Sequence, residues 1–336
     1  MNLNHTVASL GLIATLSFGT ALTAFAQDVP EFLKGRELKK PLNELTIGYS
    51  ALGRGTNSYS AIVFDIMEQR SKELGIHLVI LDGGADPGLQ AQQIPTMITK
   101  KADVAVVWPI NSGAIMPSIK LLHNANIPIL ILDSRIPKEG DGMTVAFTGA
   151  DHYKEAYNTG MLMGEALGGK GNVLEITGLP GYDVTQARID GIGDALKTFP
   201  DIKVLDIQPA DWSQEKGQTL TESWITRFGF QIDGIVSADG GSGTGAMNAV
   251  RDAVNDGRIE KGHIKFTDVS LFTPTYDAIL TGEYYGGVLQ PPQTEGKLAF
   301  ETAVMIAEGV DVPKEILFEG PVLTIKNAKD YDRPNW

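Results

Sequence analysis

The sequence predicts an α/β protein, and three observations lead to that prediction. Short apolar runs rich in β-branched residues alternate with longer amphipathic segments from Glu44 to about Ala328. Most runs are continuous over four to six residues, as expected for parallel strands whose sheet is covered by helices on both faces. About ten runs fall into two similar sets, whereas a TIM barrel would need eight units closed in one ring. We therefore expect two Rossmann-like, doubly wound lobes with a ligand cleft between them.

Each apolar run is assigned to a strand and each amphipathic segment between two runs to a helix. The predicted strands are Leu45–Ser50, His77–Leu81, Val104–Trp108, Ile129–Leu132, Thr144–Phe147, Val173–Ile176, Val204–Gln208, Gly234–Ser237, Ile264–Thr267 and Tyr285–Leu289. The predicted helices are Tyr59–Leu74, Pro87–Lys100, Gly113–Ala125, Tyr153–Leu167, Thr185–Thr198, Ser213–Phe228, Gly245–Asp256, Thr273–Leu280 and Gln293–Glu308.

The two sets of elements divide the chain into lobes. The first set ends near Gly149, and the helix rich in Ala and Met after Gln290 is expected to return to the first lobe. The N-terminal lobe is therefore predicted to hold residues 44–150 and 291–320. The C-terminal lobe is predicted to hold residues 151–290 and 321–328, and residues 329–336 to form a surface tail.

The N-terminus has the features of a secretory signal peptide. Residues 1–26 contain no Asp, Glu, Lys or Arg, and an apolar run from Val7 to Phe25 ends in Ala24-Phe25-Ala26, a small-x-small cleavage site. We predict a signal peptide over residues 1–26, its removal, and a soluble, exported protein. A membrane anchor is the alternative, and the Ser, Thr and Gly residues that interrupt the run disfavour it.

Charge and cysteine content exclude several classes of function. Lys plus Arg number 28 against 41 Asp plus Glu among 336 residues, a net charge of −13 that would repel nucleic acids and anionic membranes. The chain has no cysteine, which excludes disulfides, thiol nucleophiles, Cys-ligated metals and a lipid-modified cysteine behind the signal peptide. The five histidines form no HExxH motif, so we expect no metal site.

Polar residues follow six of the apolar runs, where the strands of an open α/β sheet end and ligands bind. They are Asp82, Asn111, Asp133, Asp239, Asp268 and Gln290. Any one of them could instead cap a helix or form a turn. Their recurrence in both lobes predicts acceptors for hydroxyl groups across the cleft, which suits a neutral polyhydroxylated ligand.

Two glycine motifs suggest nucleotide binding, but their contexts disfavour it. Gly241–Ala246 has the GxGxxA spacing of a dinucleotide fingerprint, yet the carboxylate of Asp239 just before it would repel a pyrophosphate. Residues 164–170 match GxxxxGK, but Gly171 replaces the required Ser or Thr, so a helix C-terminal turn is expected. No G-x-S-x-G motif is present. We expect no cofactor and no enzymatic activity.

Several motifs together resemble the type I periplasmic sugar-binding proteins of the ribose-binding branch, which serve ABC importers. Residues 46–49 followed by Asn57-Ser58-Tyr59 are similar to the family's first strand and its Asn-Pro-aromatic-aromatic loop. Residues 125–133, 186–191 and 208–212 resemble the segments that carry its sugar-binding Asp, Arg and stacking aromatic. The resemblance covers nearly the whole mature chain and implies ligand contacts from Asn57, Tyr59, Asp133, Arg188, Trp212, Asp239, Asp268 and Gln290.

The chain departs from the family pattern at positions that bear on the ligand. Ser60 stands where the family has a second aromatic, Ser134 where it has an Arg, with Arg135 one place on, and Asp239 where it has an Asn. Ser60, Ser134 and Arg135 are therefore weaker candidates for ligand binding. For Trp212 and Tyr59, core packing is the alternative. Trp108 is expected in the core or at the cleft rim, with a role in the cleft as the alternative. His152 is expected in hinge packing, with ligand contact as the alternative.

The resemblance implies a monomeric, periplasmic substrate-binding component of an ABC importer. Its expected partners are a monosaccharide or sugar alcohol and an inner-membrane permease. A sensor, chemotaxis or autoinducer-type binding protein on the same fold is the first alternative, since it would differ in partner and not in pocket. An exported oxidoreductase or hydrolase is the second alternative.

Overall fold

The computed structural model describes residues 30–336, so the predicted signal peptide lies outside the described residues. The described residues divide into two units, 30–36 and 37–336. The described part of the first contains a short 3-10 turn at Glu31–Leu33. The second contains all the α-helices and strands discussed below.

Strands and α-helices alternate along the second unit, as the sequence predicts. The strands are β1 (Thr46–Ala51), β2 (His77–Asp82), β3 (Val104–Val107), β4 (Ile129–Leu132), β5 (Ala146–Ala150), β6 (Lys170–Thr177), β7 (Asp201–Pro209), β8 (Gly234–Ser237), β9 (Lys265–Asp268), β10 (Gly286–Val288), β11 (Glu315–Phe318) and β12 (Val322–Thr324). The α-helices are α1 (Ser58–Leu74), α2 (Pro87–Gln93), α3 (Pro95–Thr99), α4 (Met116–Asn124), α5 (His152–Ala166), α6 (Asp183–Leu196), α7 (Gln214–Phe228), α8 (Gly240–Asn255), α9 (Thr273–Thr281) and α10 (Pro292–Ala307).

The strands form two sheets of the same topology, which confirms the predicted fold class. The first has the order β11-β5-β4-β3-β1-β2 and the second β12-β10-β9-β8-β6-β7. All pairs are parallel except β10 with β12. In each lobe the strand order reverses beside the first strand, between β1 and β3 and between β6 and β8. Such a switch point at the carboxyl ends of the strands is where open α/β sheets bind ligands.

The chain passes between the sheets at three places within the described residues. It crosses between β5 and α5, between β10 and α10, and between β11 and β12. Helix α5 packs against the second sheet and α10 against the first. The residue-level lobe boundaries stay predictions, which these crossings support.

Local chemistry explains the main differences from the predicted elements. Pro95 cannot donate a backbone hydrogen bond, and the segment predicted as one helix from Pro87 is divided there into α2 and α3. Helix α8 begins five residues earlier than predicted because the Asp239 carboxylate caps it. The predictions omit β11 and β12, two short strands separated by the Gly320-Pro321 break.

The glycines at 241–246 allow two helices of the second lobe to approach closely. A Cβ built at Gly245 would overlap the backbone oxygen of Gln214 in α7, and one at Gly217 would overlap that of Ser242 in α8. A side chain at either position would force α7 and α8 apart. Helix packing therefore accounts for the glycine at 245 without a nucleotide.

Glu175 in β6 is a buried carboxyl group of the second lobe and is absent from the lining of the cleft. Burial, and after it the charge of Asp190, raises the pKa of Glu175 to about 8. The folded protein therefore holds a proton that the unfolded chain releases near pH 4.5, and the free energy of unfolding falls as pH rises through this interval. We expect Glu175→Gln to be more stable than wild type above pH 8, by about a few kcal/mol.

Urea denaturation of both proteins at pH 4, 7 and 9 measures this difference. It should be small at pH 4, where the side chain is neutral in both states, and should grow with pH. Glu260→Gln, at an exposed position, is the matched control and should leave stability unchanged throughout. If the free energy of unfolding changed with pH by the same amount in wild type and in Glu175→Gln, the prediction would be contradicted.

Candidate ligand-binding site

A cavity lies between the lobes at the carboxyl ends of the two sheets. Its volume is about 400 Å³ when the space open to solvent at its mouth is included. From the first lobe its lining residues are Leu52, Asn57, Tyr59, Ser60, Trp108 and Asp133. From the second lobe and its connection they are Tyr182, Val184, Arg188, Trp212, Asp239, Ser270, Phe272 and Gln290.

Three lining residues have left-handed backbone conformations that non-glycine residues rarely adopt. Asp133 has a φ of 58°, Trp212 of 62° and Ser270 of 58°. Each comes within three residues of the end of a strand, at a sharp turn of the chain. Such strain persists only where the surroundings impose it, and it is concentrated at functional sites. The turns place these three residues at the cavity, while Ala85, Lys101, Asn126 and Asp211, which share the conformation, lie outside its lining.

Asp133 is the carboxylate on which contacts from both lobes converge. The Tyr182 hydroxyl donates to its Oδ2 at 2.5 Å, and His152 Nε2 lies 3.0 Å from its Oδ1. Trp108 Nε1 in turn donates to the Tyr182 hydroxyl. Burial opposes ionisation of Asp133, but His152 and these hydrogen bonds outweigh it and hold its pKa below the usual range. Asp133 is therefore an ionised acceptor at the cavity.

Arg188 in α6 is held by groups of its own lobe and of the lobe connection. Its Nη1 donates to the Ala238 carbonyl oxygen at 2.5 Å, and its Nη2 donates to Gln290 Oε1 at 2.6 Å. Gln290 Nε2 donates to the Tyr59 hydroxyl at 2.9 Å, and the Tyr59 hydroxyl donates to Glu295. Within residues 30–336, Arg188 Nε has no hydrogen-bond partner although it is buried. The guanidinium group of Arg188 is therefore held in place, and its Nε–H remains available to a ligand.

Glu295 lies next to this network and is absent from the cavity lining. Its burial, followed by the negative charge of Asp133, raises the pKa of Glu295 well above the usual value. Between the two carboxyl groups, the proton therefore belongs to Glu295 and the negative charge to Asp133. The negative charge of Asp133 then lies near the positive charge of Arg188.

Trp212 supplies a flat aromatic surface in the second lobe. Its ring lies 5.6 Å from the Arg188 guanidinium carbon and 6.0 Å from the Tyr182 ring in an edge-on arrangement. Its indole Nε1 is buried and has no hydrogen-bond partner in the described part of the chain. An unpaired N–H is costly in a closed protein core, so a ligand hydroxyl there would remove the penalty.

Gly178, directly after β6, makes room for this indole ring. A Cβ built at Gly178 would overlap the six-membered ring of Trp212. We expect Gly178→Ala to displace the ring and to weaken ligand binding at least about tenfold, since the Arg188 and Tyr182 contacts depend on its position. Calorimetric titration measures the loss. Gly193→Ala in α6 is the control, because a Cβ there meets no atom of residues 30–336 within 4 Å. Equal affinities for the two variants would contradict the prediction.

Some predicted site residues line the cavity but also have structural roles. Asn57 Oδ1 caps α1 by accepting from Ser60 N at 2.9 Å, and the Ser60 hydroxyl donates to the Gly53 carbonyl oxygen at 2.7 Å. Asp239 caps α8, accepting from Gly241 N at 2.9 Å. Burial raises the pKa of Asp239, although the hydrogen bonds that its carboxylate accepts in the helix cap oppose this rise. Asn57 and Asp239 therefore cap helices, as the alternative interpretation predicted, and they also line the cavity.

Three of the ligand-binding candidates, Asp268, Ser134 and Arg135, do not line the cavity, and neither do the strand-end residues Asp82 and Asn111, which accept from the backbone N–H groups of Gly84 and Ala114 instead. Asp268 is fully buried at the end of β9. Ser134 is also fully buried, one residue past Asp133. The Arg135 guanidinium lies 4.0 Å from the Phe147 ring and pairs with Glu315 at 2.7 Å. That pairing gives Arg135 a partner outside the cavity.

The cavity also contains residues that the sequence analysis did not select. They are Leu52, Trp108, Tyr182, Val184, Ser270 and Phe272. A position just after a strand was a usable signal for Leu52, Trp108 and Ser270. Tyr182 has no such signal, because its role depends on contacts with the other lobe. His152, expected in hinge packing, contacts both Asp133 and Arg188 Nη2 without lining the cavity.

Comparison with known proteins identifies the family. A family model described as a periplasmic binding protein domain matches residues 47–311, most of the chain. The chain belongs to this periplasmic binding protein family. It is 26% identical over 262 residues to the xylitol-binding protein of Mycolicibacterium smegmatis, an alignment covering 78% of this chain and 72% of the relative. It is 26% identical over 263 residues to the ribose import binding protein of Haemophilus influenzae, covering 77% and 85%.

Solved structures show the same fold. The crystal structure of a galactofuranose binding protein superposes with a TM-score of 0.78 at 24% identity and covers 85% of this chain and 96% of that chain. The family and its named relatives are binding proteins, so this protein is a substrate-binding protein and not an enzyme. Within the described residues, no helix is long and apolar enough to span a membrane and no acidic or histidine cluster could hold a metal ion.

Proposed function

We propose that the protein is the substrate-binding component of an ABC importer for a monosaccharide or sugar alcohol. The observation that carries the proposal is the pair of buried, unpartnered donors at the cavity, Arg188 Nε and Trp212 Nε1, counted over residues 30–336. They lie with an ionised carboxylate, Asp133, in a cavity lined by both lobes. Relatives named for xylitol and ribose support this ligand class.

The polar groups of the cavity match what a polyhydroxylated ligand offers. Each ligand hydroxyl can donate to Asp133 or Asp239 and accept from Arg188 Nε or Trp212 Nε1. Hydrogen bonds that involve an ionised partner are the stronger ones. The faces of Trp212 and Tyr59 suit the C–H side of a sugar ring.

Binding would close the protein because the ligand contacts both lobes together only in the closed arrangement. A ligand that contacts both lobes binds this state better than the open one and shifts the population toward it. We propose that the closed form then docks on an inner-membrane permease. We also propose removal of residues 1–26, a periplasmic location and a monomeric state.

Isothermal titration calorimetry of the exported, full-length mature protein tests the ligand class. The panel should contain pentitols, hexitols, pentoses and hexoses, with amino acids and purine nucleosides as controls. We expect binding to at least one sugar or polyol and none to the controls. Binding to a control compound with no response to any sugar or polyol would contradict the proposal. Ligand-dependent capture of a permease from inner-membrane extract tests the proposed partner.

A further inference from the structure

Tyr182 joins the two lobes inside the cavity. It belongs to the second lobe, where it directly precedes α6, and only 3% of it is exposed. Its hydroxyl donates to Asp133 Oδ2 at 2.5 Å and accepts from Trp108 Nε1, and both partners belong to the first lobe. A side chain of the protein therefore makes the polar contact between the lobes at this end of the cavity.

The contacts of this phenol hydroxyl are those of a sugar hydroxyl. It gives its proton to a carboxylate and accepts one from an N–H group, the combination that a ligand hydroxyl needs in a buried site. His152 Nε2 lies 3.0 Å from the other carboxylate oxygen of Asp133, Oδ1. Tyr182 therefore takes the place that one hydroxyl of a longer ligand would occupy.

We propose that Tyr182 limits the length of the ligand, so that the site favours four- and five-carbon polyols and aldoses over their six-carbon homologues. The inference rests on the proposed function and specifies its substrate class. The unpartnered donors of the cavity, Arg188 Nε and Trp212 Nε1, remain for the hydroxyls of the shorter ligand, as far as the described residues show.

Two substitutions distinguish the role of the Tyr182 hydroxyl from the role of its ring. Tyr182→Phe keeps the packing against Trp212 but leaves Asp133 Oδ2 and Trp108 Nε1 without their common partner. We expect it to weaken binding of the five-carbon ligand about tenfold or more. Tyr182→Ala also opens the space of the ring, where an additional hydroxymethyl group can reach both freed partners. We expect the ratio of five-carbon to six-carbon affinities to fall at least about tenfold in this variant.

Calorimetry on one homologous series, erythritol, xylitol, ribitol, mannitol and sorbitol, with ribose and allose as aldoses, gives both quantities. Tyr276→Phe is the matched control, since its buried hydroxyl donates to the Ala328 carbonyl oxygen at 2.7 Å and does not line the cavity. It should leave the order of affinities unchanged.

Wild-type results distinguish the two proposals. If wild type binds no compound of the broader sugar and polyol panel, the proposed function fails. If it binds one but prefers the six-carbon members, or if Tyr182→Ala keeps the wild-type ratio within threefold, the inference about Tyr182 fails while the proposed function stands. Unchanged binding by Tyr182→Phe would also overturn it.

Discussion

Arg188→Ala should abolish measurable ligand binding, with an affinity loss of at least about 100-fold, or about 3 kcal/mol. The substitution removes the free Nε–H and leaves the Ala238 carbonyl oxygen and Gln290 Oε1 without their donor. It also removes the cation near the ionised carboxylate of Asp133. Calorimetric titration measures the affinity, and thermal unfolding with and without ligand provides a second readout.

Two companion variants make this result specific. Arg188→Lys keeps the charge but not the planar fork, and we expect it to lose at least about tenfold in affinity. Arg135→Ala is the matched control, because that guanidinium pairs with Glu315 and is absent from the cavity lining. It should bind within about threefold of wild type. If both Ala variants bind like wild type, Arg188 is not part of the ligand site.

Periodicity predicts the fold here because burial of each strand and each helix face is a local property of the sequence. The runs around Val104 and Ile129 are apolar throughout since helices cover both faces of their sheet. The strand-end rule also places Asp133, Asp239 and Gln290 at the cavity, because the carboxyl ends of parallel strands share one edge. These features require no knowledge of how the lobes meet.

Asp268 shows where that rule stops. Asp268 is the last residue of β9, whereas Asp133 is the first residue after β4, and after Asp268 the chain continues through Ser270, whose φ of 58° accompanies a sharp turn. Ser270 and Phe272 line the cavity, whereas Asp268 remains buried at the end of β9. The backbone path after a strand decides which side chain reaches the cavity. The identity of a single residue at the end of a strand does not determine the path of the backbone after it.

Tyr182 shows the second limit. Its partners Asp133 and Trp108 come from the other lobe, 49 and 74 residues away in sequence. Local propensity holds no information on contacts that form when two lobes close. Helix-cap chemistry, in contrast, could be anticipated at Asn57, where an Asn before a helix is a favoured cap.

Trp212→Ala should weaken binding at least about 100-fold, because it removes the aromatic face, the indole N–H and the surface against which Arg188 lies. Trp212→Phe keeps a flat face and loses the N–H, so we expect an intermediate loss of about tenfold.

Trp224→Phe is the matched control in the same lobe, buried against the second sheet, with its Nε1 donating to Asp206 at 3.0 Å. It should lower the free energy of unfolding and leave affinity unchanged. The opposite pattern, in which Trp212→Ala loses stability but keeps its affinity, would assign Trp212 to core packing.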